Sequence, residues 1–264
     1  MTLPRSVWSA LIALTLFAAR SATTWAQDST VVSVTAPLLG ADTTRVAPFF
    51  REYDMLAWVG DSTVALGSRS IRLESVVHAG IPAWLIVETR TGAVPAAESL
   101  YVTRSMRPAQ WTGWVGNARV TVAFGRDSIF GGTTGPGGRQ TIILAGGPSL
   151  IVSTSMLEAL FPALHWTPYR SDSVQVLVID HVASSVIPAE LAVIGEDSVE
   201  ARATWIAVLR APARSVLFWI DQETGAVLRL QHPLPLNGAS MLEYRLRANR
   251  DARKPGAHPP SVGR

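Results

Sequence analysis

The chain has 264 residues, 48% of them hydrophobic and 16% charged, with 23 basic against 20 acidic side chains and no cysteine. That apolar content is too high for a disordered chain and sufficient for one sizeable core. The lack of cysteine excludes disulfides, thiolate metal sites, a cysteine nucleophile and a lipid attached through a lipobox cysteine.

Residues Met1 to Arg5 carry a basic start, Val7 to Ala19 form an apolar run, and Arg20 leads into a small polar stretch ending at Thr24-Trp25-Ala26. This pattern predicts a secretory signal peptide over residues 1–26, cleaved after Ala26, and hence a periplasmic or secreted protein. The run is too short for a permanent span of about 20 residues, and no later stretch reaches about 18 uninterrupted apolar residues. No transmembrane helix is therefore expected in the mature chain. The basic excess lies at the ends. Arg5 and Arg20 belong to the leader, while Arg247, Arg250, Arg253, Lys254 and Arg264 face Asp251 alone near the C-terminus. Residues 27–47 read as a flexible N-terminal segment and 247–264 as a basic disordered tail, leaving residues 48–246 as the folded domain. No basic helix face or aromatic-basic sheet pattern accompanies the tail, so nucleic acid is not an expected partner.

Within the domain, period-two alternation broken by turn residues is the dominant signal, the pattern of antiparallel strands with one buried face. Ser70 to His78 and Pro82 to Arg90 flank Ala79-Gly80 as a hairpin. Ala118 to Phe124 alternates cleanly, and Asp127 to Phe130 and Gln140 to Leu144 border a glycine-rich stretch read as a flexible hairpin loop. Ser155-Met-Leu-Glu158 matches a capping box, with Ser155 as N-cap, and opens a short helix bearing Met156, Leu157, Leu160, Phe161 and Leu164. Pro162 limits that helix to about two turns. Strands follow at Ser173 to Val182, Glu190 to Glu196 and Glu200 to Val208. Ser215 to Ile220 and Ala226 to Gln231 form a hairpin, and Met241 to Leu246 completes the set. At least ten strands at short spacing are too many for a flat open sheet. The expectation is a mainly β fold: a single strongly curved antiparallel sheet, an incomplete barrel, with the short helix on its concave face.

Motifs for catalysis are missing. The glycine-rich stretch Gly131 to Thr141 lacks the lysine and following helix of a phosphate loop. Asp28-Ser-Thr and Asp61-Ser-Thr lack the glycine of an aspartic protease. His78, His165, His181 and His232 have no metal-ligand spacing, Asp180 and His181 point to opposite faces of a strand, and no Gly-x-Ser-x-Gly elbow occurs. The protein is read as non-catalytic, without a cofactor or metal. Its aromatic residues, among them Trp114, Trp166, Phe218 and Trp219, fill a core or line an apolar cavity beneath the helix. The residues expected to contact an apolar ligand are Trp84, Trp111, Phe124, Leu157, Phe161 and Trp205, large side chains on alternating strands or on the helix stripe.

The hairpin Phe218-Trp-Ile-Asp221-Gln-Glu-Thr-Gly225-Ala-Val-Leu228-Arg-Leu resembles a recurring feature of the periplasmic lipoprotein-carrier superfamily, the LolA- and LolB-like half-barrels. There a strand ends in Trp-x-Asp, a Thr-Gly turn follows, and the return strand begins apolar then basic. The order of elements from Tyr53 to Leu246 is similar to that superfamily's helix-plugged half-barrel, and most similar to an exported bacterial branch grouped with the carriers. The resemblance implies an incomplete barrel that holds acyl chains or another apolar ligand without chemistry. The chain departs from it in having one clear helix instead of several and in lacking the lipobox cysteine, and the hairpin motif transfers no binding residue. Two functional classes follow. One is an exported carrier of a lipid or acyl chain. The other is a packed β module that binds a cell-envelope protein through a strand edge or its tail.

Overall fold

A computed structural model describes residues 36–93, 95–179, 184–212, 214–236 and 239–251. The leader with its cleavage point, residues 27–35, Asp180, His181 and the tail beyond Asp251 lie outside the described residues.

Fifteen strands form one sheet. They are β1 (Phe49–Val59), β2 (Ser62–His78), β3 (Ile81–Gly92), β4 (Ala96–Thr103), β5 (Pro108–Val115), β6 (Ala118–Phe124), β7 (Ser128–Gly135), β8 (Gly138–Ala145), β9 (Leu150–Ile151), β10 (Ser171–Ile179), β11 (Ser184–Val199), β12 (Arg202–Ala211), β13 (Arg214–Asp221), β14 (Val227–Leu236) and β15 (Ala239–Asp251). A helix, α1 (Thr154–Leu160), and a 3₁₀ turn, Phe161–Ala163, interrupt the series after β9. The chain meanders from β1 to β8, crosses to the far side, and meanders back so that β15 pairs with β1. Every neighbouring pair is antiparallel except the two-residue parallel match of β9 with β10. The sheet is not closed into a barrel; β8 stands at one edge and β9 at the other. The expected mainly β, curved and incomplete barrel with one short helix is the architecture observed.

Alternation sets the inner wall. In β1, Phe49, Arg51, Tyr53, Met55 and Ala57 are buried while the residues between them are half-buried. Cross-strand pairing then carries one inner row through Ile86, Leu100, Trp111, Val122, Gly131 and Ile142. The stretch expected to be a flexible glycine-rich loop is mostly strand: β7 and β8 run to Gly135 and from Gly138, leaving a two-residue turn. Glycine suits Gly131 because a Cβ there would lie 2.1 Å from the Thr121 carbonyl oxygen, a strand-packing reason instead of a loop one.

Near the N-terminal end of the domain, Leu38–Gly40 and Thr43–Arg45 form 3₁₀ turns. Leu38, Ala41 and Val46 are buried in the main core, and the Asp42 amide donates to the Ala163 carbonyl at 2.8 Å. β15 continues to Asp251, past Leu246 where the sequence reading ends the domain.

The Asp221 hairpin has a local cause. Asp221 Oδ1 accepts from the amides of Glu223 (3.0 Å) and Thr224 (2.8 Å), an Asx-type turn. Gly225 then takes φ of 71°, and a Cβ on it would sit 2.5 Å from Pro162 Cα. The turn is thus pressed against the segment that follows α1. Gly225→Ala combines a left-handed backbone with that collision and is expected to lower stability by about 1–3 kcal/mol, measured by urea unfolding.

Candidate functional site

The concave side of the sheet is occupied by α1 and its 3₁₀ turn. Residues 155–161 are all buried, and Met156, Leu157, Leu160 and Phe161 have no exposure. Each such side chain contributes about 1.5–3 kcal/mol of apolar burial, so packing is what holds the helix in place. Phe161 meets Trp166 and Phe218 edge-to-face, with centroids 5.1 and 5.0 Å apart.

The helix start differs from the capping box read in the sequence. The N-cap is Ser153, whose side chain accepts from the Met156 amide at 3.4 Å. Ser155 hydrogen-bonds Ser153 Oγ (2.7 Å) and donates to Glu98 Oε1 (3.0 Å). Glu158 does not reach back to the helix end. It turns into the core, because a charged partner there offers a stronger bond than an amide at a helix terminus.

That partner is Arg69 of β2. Arg69 Nη1 donates to Glu158 Oε1 at 2.5 Å, and Nη2 donates to Glu88 Oε2 at 2.7 Å and to Thr154 Oγ1 at 3.3 Å. The Tyr53 hydroxyl donates to Glu158 Oε2 at 2.7 Å, with the Val227 carbonyl 3.2 Å away. Arg51 Nη1 donates to the Glu158 carbonyl at 3.3 Å. The Arg69 guanidinium also lies 5.0 Å from the Tyr244 ring centre. Arg51, Arg69 and Glu158 are at most 2% exposed, and Glu88 is 6% exposed. A buried ion pair contributes little net stability after desolvation, yet breaking one costs several kcal/mol. The contact therefore selects where the helix sits more than it strengthens the fold.

Three titratable groups in this region are shifted by their surroundings. Burial raises Glu88, but Arg69 and Arg90 outweigh it and leave the group below its ordinary value. Glu98, directly opposite Glu88 on β4, is raised by burial and by the Glu88 charge despite hydrogen bonds from Ser155 and from Trp111 Nε1 (3.2 Å). Burial and Glu158 push the Tyr53 phenol well up, so it stays a neutral donor. A polar cavity of about 10 Å³ opens among Glu88, Arg90, Ala96, Ala97, Glu98 and Trp114, room for about one water.

A further buried carboxylate, Glu243, lies on the opposite face of the sheet from Tyr244. It is held below its ordinary value, against burial, by Gln231, Arg245, Trp58 and Arg229. Trp58 Nε1 and Arg229 Nη2 each donate at 3.0 Å. All its partners are on β1, β14 and β15, so it braces neighbouring strands and does not touch the helix.

The six residues expected at a ligand site come together in one apolar core. Leu157 and Phe161 are fully buried, Trp84 and Trp111 are 6% and 7% exposed, and Phe124 and Trp205 are half-buried against the same cluster. Trp84 carries the Arg104 guanidinium 4.0 Å from its ring centre. Sequence reasoning did not single out Arg51, Tyr53, Arg69, Glu88 or Glu98. A signal for most of them exists: charged residues standing in the apolar phase of alternating strands. Among the described residues no group of three or more His, Asp or Glu side chains is placed to hold a metal ion, and no helix is long and apolar enough to cross a membrane.

No family model and no curated protein sequence matches the chain. Among solved structures it is similar to a β-barrel-like protein of a domain of unknown function, DUF1849, from Brucella abortus. The match has 10% identity and a TM-score of 0.53 over 78% of this chain and 98% of that one. A putative outer membrane lipoprotein-sorting protein domain from Vibrio parahaemolyticus aligns at 8% identity over 80% of this chain and 89% of that one. Its TM-score of 0.25 is too low to carry an argument. The Brucella likeness bears on the fold alone, a barrel-like β architecture.

Removing one member of the buried cluster leaves charge without compensation. Arg69→Met is expected to cost about 3–5 kcal/mol, and adding Glu158→Gln to recover part of that loss, in a double-mutant cycle read by denaturant unfolding. The pH profile follows from the opposed shifts. Above its raised folded pKa, Glu98 carries a penalty that is relieved as pH falls toward the ordinary 4.5. Glu88 and Glu243, both lowered, stabilise the fold above 4.5, and that contribution is lost as pH falls through their folded values. Stability is expected to rise and then fall on acidification, and Glu98→Gln to remove the initial rise.

Proposed function

We propose that the protein is an exported, non-catalytic carrier of an apolar ligand, a lipid or acyl chain. The ligand binds the concave wall of the sheet in exchange for α1. The observation that supports this is an unclosed sheet lined with apolar side chains whose interior is filled by one seven-residue helix. On its N-terminal side that helix follows β9, whose strand pairing is the two-residue match with β10. Its movement breaks no long strand ladder. Vacating it uncovers Trp84, Trp111, Phe124 and Trp205 on the wall, while Leu157 and Phe161 stay on the plug to cover the chain. Apolar burial supplies the affinity, at about 25 cal/mol per Å². An exported destination rests on the leader sequence and its expected cleavage after Ala26.

A second reading is a packed β module that binds an envelope protein. The observation in its favour is that the helix fills the interior tightly, with Ser155 to Leu160 all buried.

Native mass spectrometry of the protein purified from its cell envelope, followed by solvent extraction, separates the two. The carrier reading expects a stoichiometric acyl-bearing mass that disappears on extraction. It also expects hydrogen exchange at the α1 amides through an opening well below global unfolding. A clean apo mass with no uptake of fatty acid or phospholipid, and α1 amides that exchange only on global unfolding, would establish the packed module instead.

A further inference from the structure

We infer that the ligand is a long-chain carboxylate, and that Arg69 and Tyr53 form the seat of its headgroup, which the Glu158 side chain fills while the helix is in place. This rests on the carrier reading above and adds the chemical class of the ligand.

The donors and their acceptor are carried by different elements. Arg51 and Tyr53 stand two residues apart on the inner face of β1, and Arg69 is the direct cross-strand partner of Tyr53 on β2. The donors are therefore fixed to the wall by strand geometry. The acceptor alone is on the helix: one carboxylate takes Arg69 on Oε1 and the Tyr53 hydroxyl on Oε2. When α1 leaves, its carboxylate leaves with it, and the donors stay behind.

Without it, Arg69 Nη1 and the Tyr53 hydroxyl lose their acceptor. Arg69 keeps Glu88, but Glu88 is also paired with Arg90 at 3.3 Å. A guanidinium this deep in an apolar wall needs an anion beside it. A solvated chloride would satisfy charge but not the two-oxygen geometry, in which a guanidinium and a phenol address separate oxygens of one planar group. A carboxylate has the same charge and shape as the group it replaces.

The surroundings suit an amphiphile. Next to the seat are Met55, Ile71 and Val227, all unexposed, and farther along the core are Phe218 and Leu230. One anion-binding anchor beside these apolar side chains matches a single polar head on a long apolar chain. The Tyr53 phenol, raised by burial and by the carboxylate beside it, is a donor to that carboxylate.

The test is calorimetric titration of the full chain with dodecanoate, methyl dodecanoate and a dodecyl-chain phosphatidylglycerol. Wild type is expected to prefer dodecanoate over its methyl ester by about tenfold or more, the worth of one charge-assisted bond. Tyr53→Phe is expected to reduce that preference severalfold. The Arg69→Met/Glu158→Gln double variant is expected to abolish it. If the double variant does not fold, Tyr53→Phe, which removes only a hydroxyl, decides alone. Equal binding of acid and ester in wild type and Tyr53→Phe would overturn the carboxylate seat while leaving the carrier reading intact. Tighter, Arg69-dependent binding of phosphatidylglycerol would overturn it in favour of a phosphate headgroup. No binding of any of the three would overturn the carrier reading and this inference with it.

Discussion

The contact between Arg69 on the sheet and Glu158 on the helix is the constraint around which the interior is arranged. Both groups are buried, so each is tolerated only because the other is present, and Tyr53, Glu88 and Thr154 take up the hydrogen-bonding capacity left over. An apolar helix on an apolar wall can slide or rotate at little cost. A charge pair with two-oxygen geometry cannot. The greasy surfaces supply the stabilisation and the ionic contact supplies the position, a division of labour that a wholly hydrophobic plug would lack.

The rest of the fold serves that placement. Strands from both halves of the meander touch the plug: β1 and β2 through the charge cluster, β4 through Glu98 and Ser155, and β13 through Phe218 and Phe161. The Asp221 turn reaches the far end of the plug, where Gly225 lies against Pro162. Thus the hairpin around Asp221 has a mechanical role, as a backstop for the helix. The Asx-type bonds from Asp221 hold the turn in shape so that its glycine can make that approach.

Much of this was legible in the residues. Period-two alternation gave the antiparallel sheet and the apolar wall, because burial on one face leaves a trace at every second position, and the number of strands gave the curvature. The helix was visible from Met156, Leu157, Leu160 and Phe161. Its cap was misplaced by two residues, since Ser153 and Ser155 both suit the role and only the tertiary pull of Arg69 on Glu158 decides between them. The glycine-rich stretch looked like a loop because local preference says so, while Gly131 is in a strand for want of space beside Thr121. The charge cluster was harder to see. Arg51 is in phase with Phe49, Tyr53 and Met55, and Arg69 with Ile71 and Leu73, yet their partners stand 107 and 89 residues away in Glu158. Alternation reports that a face is buried and says nothing about which distant residue meets it there.

The pairing of β1 with β15 has a consequence for how the chain acquires its structure. Phe49 is matched with Asp251 and Trp58 with Met241, so the first strand of the domain waits for the last. Until the C-terminal strand is available, β1 has only β2 beside it, β14 has an open edge, and the two halves of the meander share no ladder. That one ladder joins strands from the two ends of the domain, a non-local pairing of the kind that forms slowly. The joining of the two halves is therefore an event of the completed polypeptide.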